Sequence, residues 1–138
     1  MPSVVLLVVS ILIIGILVFI AISVTGTKPY EFDKEEYQTD FLSIENGLTR
    51  ENEMSYHVSV IEADKLLDKA LMEMGLPGKT MGERMKAASN KFSSNNSIWY
   101  AHKMRNQLAH ERNFKIDYNK AKHALAAYRQ ALKDLGAI

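Results

Sequence analysis

The sequence contains no cysteine, and this absence excludes disulfide bonds, thiolate metal sites and thiol catalysis. Charge is also missing at one end, because no Asp, Glu, Lys or Arg precedes Lys28. Over all 138 residues the hydrophobic share is 47% and the charged share is 24%, values typical of a globular protein. These averages combine two unlike parts, so residues 1–27 have to be considered separately. The remainder has room for one domain.

The uncharged N-terminal part is predicted to be a transmembrane helix. Residues 4–24 are apolar apart from Ser10, Gly15 and Ser23. A helix of that length spans roughly 31 Å, which is close to the hydrocarbon core of a bilayer. We therefore predict a single-pass membrane anchor at residues 1–27, in contact with the lipid bilayer through residues 4–24.

A cleaved signal peptide and a buried soluble helix are the alternatives. A signal peptide normally begins with Lys or Arg and has a shorter apolar core, but Ala21 and Ser23 resemble a cleavage site, so this alternative stays open. A soluble helix that is apolar on all faces needs a much larger protein around it. Lys28 and Lys34 follow the span closely, and the positive-inside rule then favours a cytoplasmic C-terminal domain at the cell membrane.

An acidic juxtamembrane connector is predicted at residues 28–48. Two basic and six acidic side chains lie within residues 28–47, and a solvated spacer is the simplest interpretation. A short amphipathic helix is the alternative, because apolar side chains recur there at helix-like intervals: Phe32, Tyr37, Phe41 and Ile44.

Residues 49–138 show a helical pattern throughout. An apolar stripe marks a long first helix that the sequence GLPG ends, and TMGE has the capping-box spacing that starts a short second helix. A third helix is predicted from about residue 97 to residue 112, and Asp117 or Asn119 is expected to cap the fourth. No stretch alternates apolar and polar residues, so the predicted fold class is all-α, with a transmembrane helix followed by an up-and-down four-helix bundle. So small a bundle buries a modest core, which leaves room for a homodimer.

Charge is distributed unevenly along the chain. Residues 79–138 carry twelve basic and four acidic side chains, a net charge of +8. A basic half of this kind favours contact with a polyanion such as RNA. A solvated surface that complements the acidic connector, or one that contacts lipid headgroups, is the alternative.

The densest run of reactive side chains is AHKMRNQLAHERN, residues 101–113. On a helix, His102, Asn106 and His110 recur at every fourth residue and share one stripe. His102 and His110 are expected roughly 12 Å apart along the axis, which is too far for one zinc ion. The sequence also has no H-E-x-x-H pair, P-loop, Rossmann glycine motif or serine-hydrolase elbow, so neither a metal nor a cofactor is predicted. Acid–base chemistry beside the Arg105 cation is consistent with the run.

The segment RNQLAH, from Arg105 to His110, resembles the R-N-x-x-x-H form of the R-x(4–6)-H motif of HEPN domains. A long first helix, a short second helix, the motif in the third and a final amphipathic helix are also the order that this family uses. The resemblance extends from about Met54 to about Leu135 and leaves out the anchor and the connector. It implies a four-helix HEPN-like bundle.

The resemblance also implies a metal-independent endoribonuclease that works as a homodimer, with both motifs lining one cleft. Arg105 would hold the scissile phosphate, Asn106 would orient the imidazole or bind phosphate, and His110 would act as general acid or base. Attack by the ribose 2′-OH would leave a 2′,3′-cyclic phosphate. Neighbouring side chains of the same run are predicted to bind the substrate: His102, Lys103 and Arg112.

Other HEPN-like proteins lack activity and serve as dimerisation or binding modules. An RNA-binding module without cleavage therefore remains open, and so does a non-catalytic module that assembles with a protein partner at the membrane. A ribonuclease requires Arg105 and His110 to be exposed in a shared cleft. An assembly module tolerates both in ion pairs and requires an exposed apolar patch.

Each candidate residue also has a structural explanation. Arg105 would pair with an acid of the first helix, Glu62 or Asp64, and His110 would stabilise a helix C-terminus. Other aromatic and imidazole side chains are expected in the interhelix seam or at the rim of the core: Trp99, Tyr100, His102 and Tyr128. A closed ion pair at Arg105, or a buried His110, would argue against the nuclease.

Overall fold

The computed structural model describes residues 1–24 and 29–138. Within these ranges it contains six helices and no strand, and this confirms the predicted all-α class. The helices are α1 (Pro2–Val24), α2 (Lys34–Gly47), α3 (Glu53–Glu73), α4 (Met81–Ala87), α5 (Asn95–His110) and α6 (Tyr118–Leu135). They form two compact units, Met1–Tyr30 and Glu31–Ile138.

The first unit is dominated by α1, a helix long and apolar enough to cross a membrane. Its 23 residues span roughly 34 Å. The hydroxyl groups of Ser10 and Ser23 donate to the carbonyl oxygens of Leu7 and Phe19, each at 2.8 Å. Both hydroxyls are thus satisfied within the helix, as a hydrocarbon environment requires. Lys28, on which the predicted orientation partly depends, lies outside the described residues.

The second unit is built around α3, which packs against α2, α4, α5 and α6. Its core consists of apolar side chains from all five helices, with Leu67, Leu71, Met85, Ile98 and Leu132 among the fully buried ones. The core-facing stripe of α6 recurs at the spacing of a helix, as the sequence pattern predicts.

Local signals define the ends of these helices. Thr80 and Glu83 form the predicted capping box at the start of α4, and Asp117 accepts the backbone N–H of Lys120 at the start of α6. Gly75 follows α3 with a φ of +71°, a left-handed conformation that disfavours other residues. Four helices therefore occupy residues 49–138 in the predicted order, and α5 begins and ends about two residues before the predicted bounds of 97 and 112.

The region predicted as a connector differs from its simplest interpretation. Residues 34–47 form α2, and the side chains of Tyr37 and Phe41 are each only 1% exposed. The Tyr37 hydroxyl also donates to the carboxylate of Glu73 at 2.8 Å. The compact unit therefore begins earlier than the predicted boundary at residue 49, because the apolar stripe of the amphipathic alternative covers α3.

The acidic side chains of α2 neutralise basic side chains of other helices. Glu36 pairs with Lys69 of α3 at 2.8 Å, and Glu45 pairs with Arg129 of α6. These contacts join the acidic segment to the rest of the bundle, so part of the charge asymmetry seen in the sequence is compensated within the fold.

An ion pair fixes α4 on α3. The Arg84 guanidinium donates to both carboxylate oxygens of Asp68, at 2.8 and 2.9 Å, and to the carbonyl oxygen of Gly78 at 2.9 Å. A bidentate Arg–carboxylate contact fixes the relative orientation of the two side chains as well as the distance between them. The short helix is thereby held in place, and it forms one wall of the cleft described below.

Candidate functional site

A buried carboxylate lies at the centre of the bundle. Asp64 of α3 is 3% exposed, and its Oδ1 atom accepts the hydroxyl of Tyr128 at 2.8 Å. The same oxygen lies 2.8 Å from Nδ1 of His102. Because a carboxylate only accepts hydrogen bonds, Nδ1 of His102 carries a proton. One side chain of α3 thus joins α5 to α6.

Burial raises the pKa of the Tyr128 phenol well above its ordinary value, and repulsion from the Asp64 carboxylate raises it further. The phenol therefore stays protonated and remains a hydrogen-bond donor throughout the neutral pH range. Tyr128 is therefore a constant hydrogen-bond partner of Asp64. Its ring is fully buried, so it is a core residue and not the residue at the rim of the core that the sequence predicts.

The second oxygen of Asp64 faces Arg105. Nε of Arg105 lies 3.3 Å from Oδ2, an ion pair rather than a well-directed hydrogen bond. The pairing expected as a structural explanation is thus present at Asp64, while Glu62 pairs instead with Lys65 at 2.9 Å. The Arg105 side chain nevertheless remains 28% exposed, so the pair is not closed to solvent.

Asn106 links the two basic partners of Asp64. Its amide oxygen accepts Nη1 of Arg105 at 3.0 Å, and its amide nitrogen lies 3.4 Å from Nε2 of His102. Asp64, His102, Asn106 and Arg105 therefore form a closed circuit of contacts, which we call the polar ring. In this ring Asn106 contacts the imidazole of His102, whereas the resemblance implies that it orients that of His110 or binds phosphate.

The polar ring borders a cleft between α4 and α5. The cleft has a volume of about 870 Å³, and its lining includes Lys86 of α4 with Trp99, Lys103, Arg105 and Asn106 of α5. His102 also lines the cleft, although it is only 8% exposed. Four of the six predicted site residues are thus brought to one surface: His102, Lys103, Arg105 and Asn106.

The cleft presents cationic groups. Lys86 and Lys103 are exposed and have no ion-pair partner within the described part of the chain. The acid beside them, Glu83, caps its own helix, since its carboxylate accepts the backbone N–H groups of Lys79 and Thr80. Unpaired cations beside an amide and an indole are suited to an anionic ligand.

Two predicted site residues lie outside this cleft. His110 is the exposed last residue of α5, and Arg112 is exposed in the turn that follows. His110 lies five positions after Arg105 on the helix, which places the two side chains roughly 140° apart around the axis. Within one protomer the two ends of the motif do not share a cleft. His110 does sit where the macrodipole favours a cation, as its structural explanation expects.

Two features of the site were not identified from the sequence. Lys86 belongs to α4, the helix that precedes the motif-bearing α5 in the sequence. Only the packing of α4 on α3 brings it to the cleft. Trp99 was assigned to the interhelix seam, and it does contact His102 edge to face with ring centroids 6.0 Å apart. It is also partly exposed along the cleft, however, and Tyr100 beside it is 55% exposed.

The residues that the structure describes contain no cluster of His, Asp or Glu able to hold a metal ion. Comparison of the chain with protein-family models, with curated proteins and with solved structures gives no match.

Proposed function

We propose that this protein is a single-pass membrane protein whose C-terminal unit is a HEPN-like, RNA-binding bundle. The observation that carries the proposal is the polar ring, which anchors Arg105 through Nε and Nη1 and leaves Nη2 without a hydrogen bond to any described residue. The RNA phosphate would bind at this outer edge of the guanidinium.

A restrained guanidinium is well suited to phosphate. Its planar set of N–H donors matches two phosphate oxygens, and a side chain that is already fixed loses little conformational entropy on binding. Lys86 and Lys103 supply two further cations from opposite walls of the cleft. Counterion release from neighbouring phosphates then adds affinity that depends on salt.

Cleavage would follow the chemistry that the resemblance implies. The ribose 2′-oxygen attacks phosphorus and loses its proton to a base, the bond to the 5′-oxygen breaks, and that oxygen receives a proton from an acid. The products are a 2′,3′-cyclic phosphate and a 5′-hydroxyl. Arg105 would stabilise the charge that develops on the phosphate, and His110 would transfer a proton. Since these two residues diverge within one chain, a homodimer would supply His110 from the other protomer.

RNA binding should depend on the cleft and not on positive charge in general. In the full chain, reconstituted in zwitterionic nanodiscs, Arg105→Ala is expected to weaken the binding of a fluorescent RNA about tenfold or more, because a hydrogen bond to a charged group is lost. Lys103→Ala should weaken it several-fold and lower the slope of log Kd against log salt by about 0.7–0.9. Fluorescence anisotropy at several salt concentrations measures both effects.

Lys133→Ala is the matched control, because Lys133 of α6 is also exposed and lies outside the cleft. It should bind RNA within about twofold of the unaltered chain. Equal losses of RNA affinity in Lys103→Ala and Lys133→Ala would show that RNA is attracted only by the net charge of the protein. This result would contradict the proposed binding of RNA in the cleft.

Cleavage is tested separately with the same preparation and EDTA present. The unaltered chain is expected to leave cyclic phosphate ends, and His110→Ala should reduce the rate at least about 100-fold, the usual contribution of a general acid or base. His123→Ala is the control, since His123 is another exposed histidine, on α6. Mass spectrometry of the products identifies their ends.

A non-catalytic interaction module is the second candidate. The ion pair between Arg105 and Asp64 favours it, because that contact accounts for Arg105 without any RNA. This candidate predicts no cleavage by a folded chain, no effect of Lys103→Ala on any RNA interaction, and a loss of thermal stability as the main consequence of Arg105→Ala.

A further inference from the structure

We infer that the cleft holds an unpaired base against Trp99, so that its ligand is single-stranded RNA rather than duplex. This inference rests on the proposed RNA binding and specifies the substrate class of the same site. It goes beyond the motif residues, because Trp99 lies six residues before Arg105 and outside the RNQLAH segment.

Trp99 is positioned by contacts on both sides of the cleft. Its indole meets the ring of His102 edge to face, at an interplanar angle of 79°, and His102 is itself fixed by Asp64. The indole is partly exposed and lines the cleft together with Lys103 and Arg105. An aromatic platform beside phosphate-binding cations is the arrangement with which proteins bind single strands.

Gly82 of α4 lies beside the indole. A Cβ atom at this position would lie 3.6 Å from Cη2 of Trp99, an ordinary van der Waals contact, so the edge of the indole packs against the first turn of α4. Gly82 is in the first turn of a regular helix without a positive φ, so its backbone does not require glycine, which is a poor helix former. This packing holds one edge of the indole against α4, beside the cleft.

These features exclude a duplex ligand at the indole. In an A-form helix the bases are stacked inside, and the protein meets only phosphates, 2′-hydroxyl groups and the shallow minor groove. A base that stacks on Trp99 while its phosphate contacts Arg105 must be unpaired. Stacking accepts every base, so little sequence preference is expected.

The test uses the fact that Trp99 is the only tryptophan in the chain. The full chain in zwitterionic nanodiscs is titrated with a short 2′-O-methyl oligoadenylate, which resists cleavage, and the indole fluorescence is recorded. A base-free oligomer of the same length and charge, made of abasic units, is titrated in parallel. Anisotropy of labelled forms of both oligomers gives their affinities, and a hairpin supplies the duplex.

Stacking should quench the fluorescence with oligoadenylate but not with the abasic oligomer. Trp99→Leu is expected to weaken oligoadenylate binding about tenfold or more and leave abasic binding unchanged, whereas Trp99→Phe retains part of the affinity. Gly82→Leu keeps the indole but places a large side chain against it, where even a Cβ atom would be in contact with the ring, so it should weaken oligoadenylate binding in the same selective way.

Each other outcome overturns the inference. If both oligomers bind equally and neither quenches the indole, the cleft binds phosphate alone, and RNA binding stands without the base site. If the hairpin binds as well as the single strand, the substrate class is wrong. If neither oligomer binds and Lys103→Ala has no effect, the proposed function fails together with the inference.

Discussion

Replacing Asp64 with alanine is expected to lower the free energy of unfolding by about 3–5 kcal/mol. The change leaves the Tyr128 hydroxyl and the Nδ1–H group of His102 without an acceptor inside the bundle, and removes the counter-charge of Arg105. A loss of this size is a large part of the total stability of an ordinary domain, so the variant should be close to unfolding at room temperature.

Urea denaturation of the full chain in nanodiscs, followed by the fluorescence of Trp99, measures this loss. Glu62→Ala is the matched control, because Glu62 is an exposed acid two positions earlier on α3 and forms only a surface pair with Lys65. That variant should lie within about 0.5 kcal/mol of the unaltered chain. Equal stability of the two variants would contradict the central role of Asp64.

Asp64→Asn separates two roles of Asp64, which are to bind Tyr128 and His102 inside the bundle and to position Arg105. Tyr128 and His102 both contact Oδ1, and an amide oxygen can accept two hydrogen bonds, so Asp64→Asn retains these contacts. The amide nitrogen of the asparagine then faces Nε of Arg105. Both groups are hydrogen-bond donors, so they repel each other. Stability should fall by only about 1–2 kcal/mol, while RNA affinity falls as it does in Arg105→Ala. Unchanged RNA affinity would show that the polar ring does not position Arg105.

Replacing Phe41 with alanine should lower the free energy of unfolding by a similar amount, about 3–5 kcal/mol. Phe41 is 1% exposed on α2, in the segment that a solvated connector would leave in water, and the Arg129 guanidinium lies 5.2 Å from its ring centroid. The smaller side chain leaves a cavity and removes this cation–π contact.

Leu42→Ala is the control on the same helix, since the neighbouring Leu42 is 54% exposed. It should change the free energy of unfolding by no more than about 0.5 kcal/mol. Denaturation curves of the two variants compare buried and exposed positions directly. If both behave like the unaltered chain, α2 is not part of the folded unit.

Sequence patterns located most of the helices because the signals involved are local. The capping box at Thr80 and Glu83, the cap at Asp117 and the stop at Gly75 each act over a few residues, and apolar spacing defines one face at a time. The same reasoning left α2 ambiguous. Its apolar stripe is short, and its acidic side chains are suited to water as well as to ion pairs with α3 and α6.

The candidate site was predictable only in part. The run containing Arg105 and Asn106 is visible in the sequence, and an acid of the first helix was expected beside Arg105. Arg105 pairs with Asp64 and not with Glu62 because Asp64 faces the core and Glu62 faces solvent. The apolar pattern of this helix in the sequence did not show which of the two acids faces the core. The separation of His110 from the cleft also follows from the helical geometry of α5 once its neighbours are in place.

The sequence by itself determined that this chain is helical, that it lacks thiol chemistry, and that its first helix is long and apolar enough to cross a membrane. Only the tertiary structure decided that Asp64 would lie beneath the cleft, that α2 would join the core, and that Lys86 would line the same cleft as Trp99. The reason is distance along the chain. A cap or an apolar stripe is formed by residues within a few turns, whereas Asp64 finds its partners His102 and Tyr128 at separations of 38 and 64 residues.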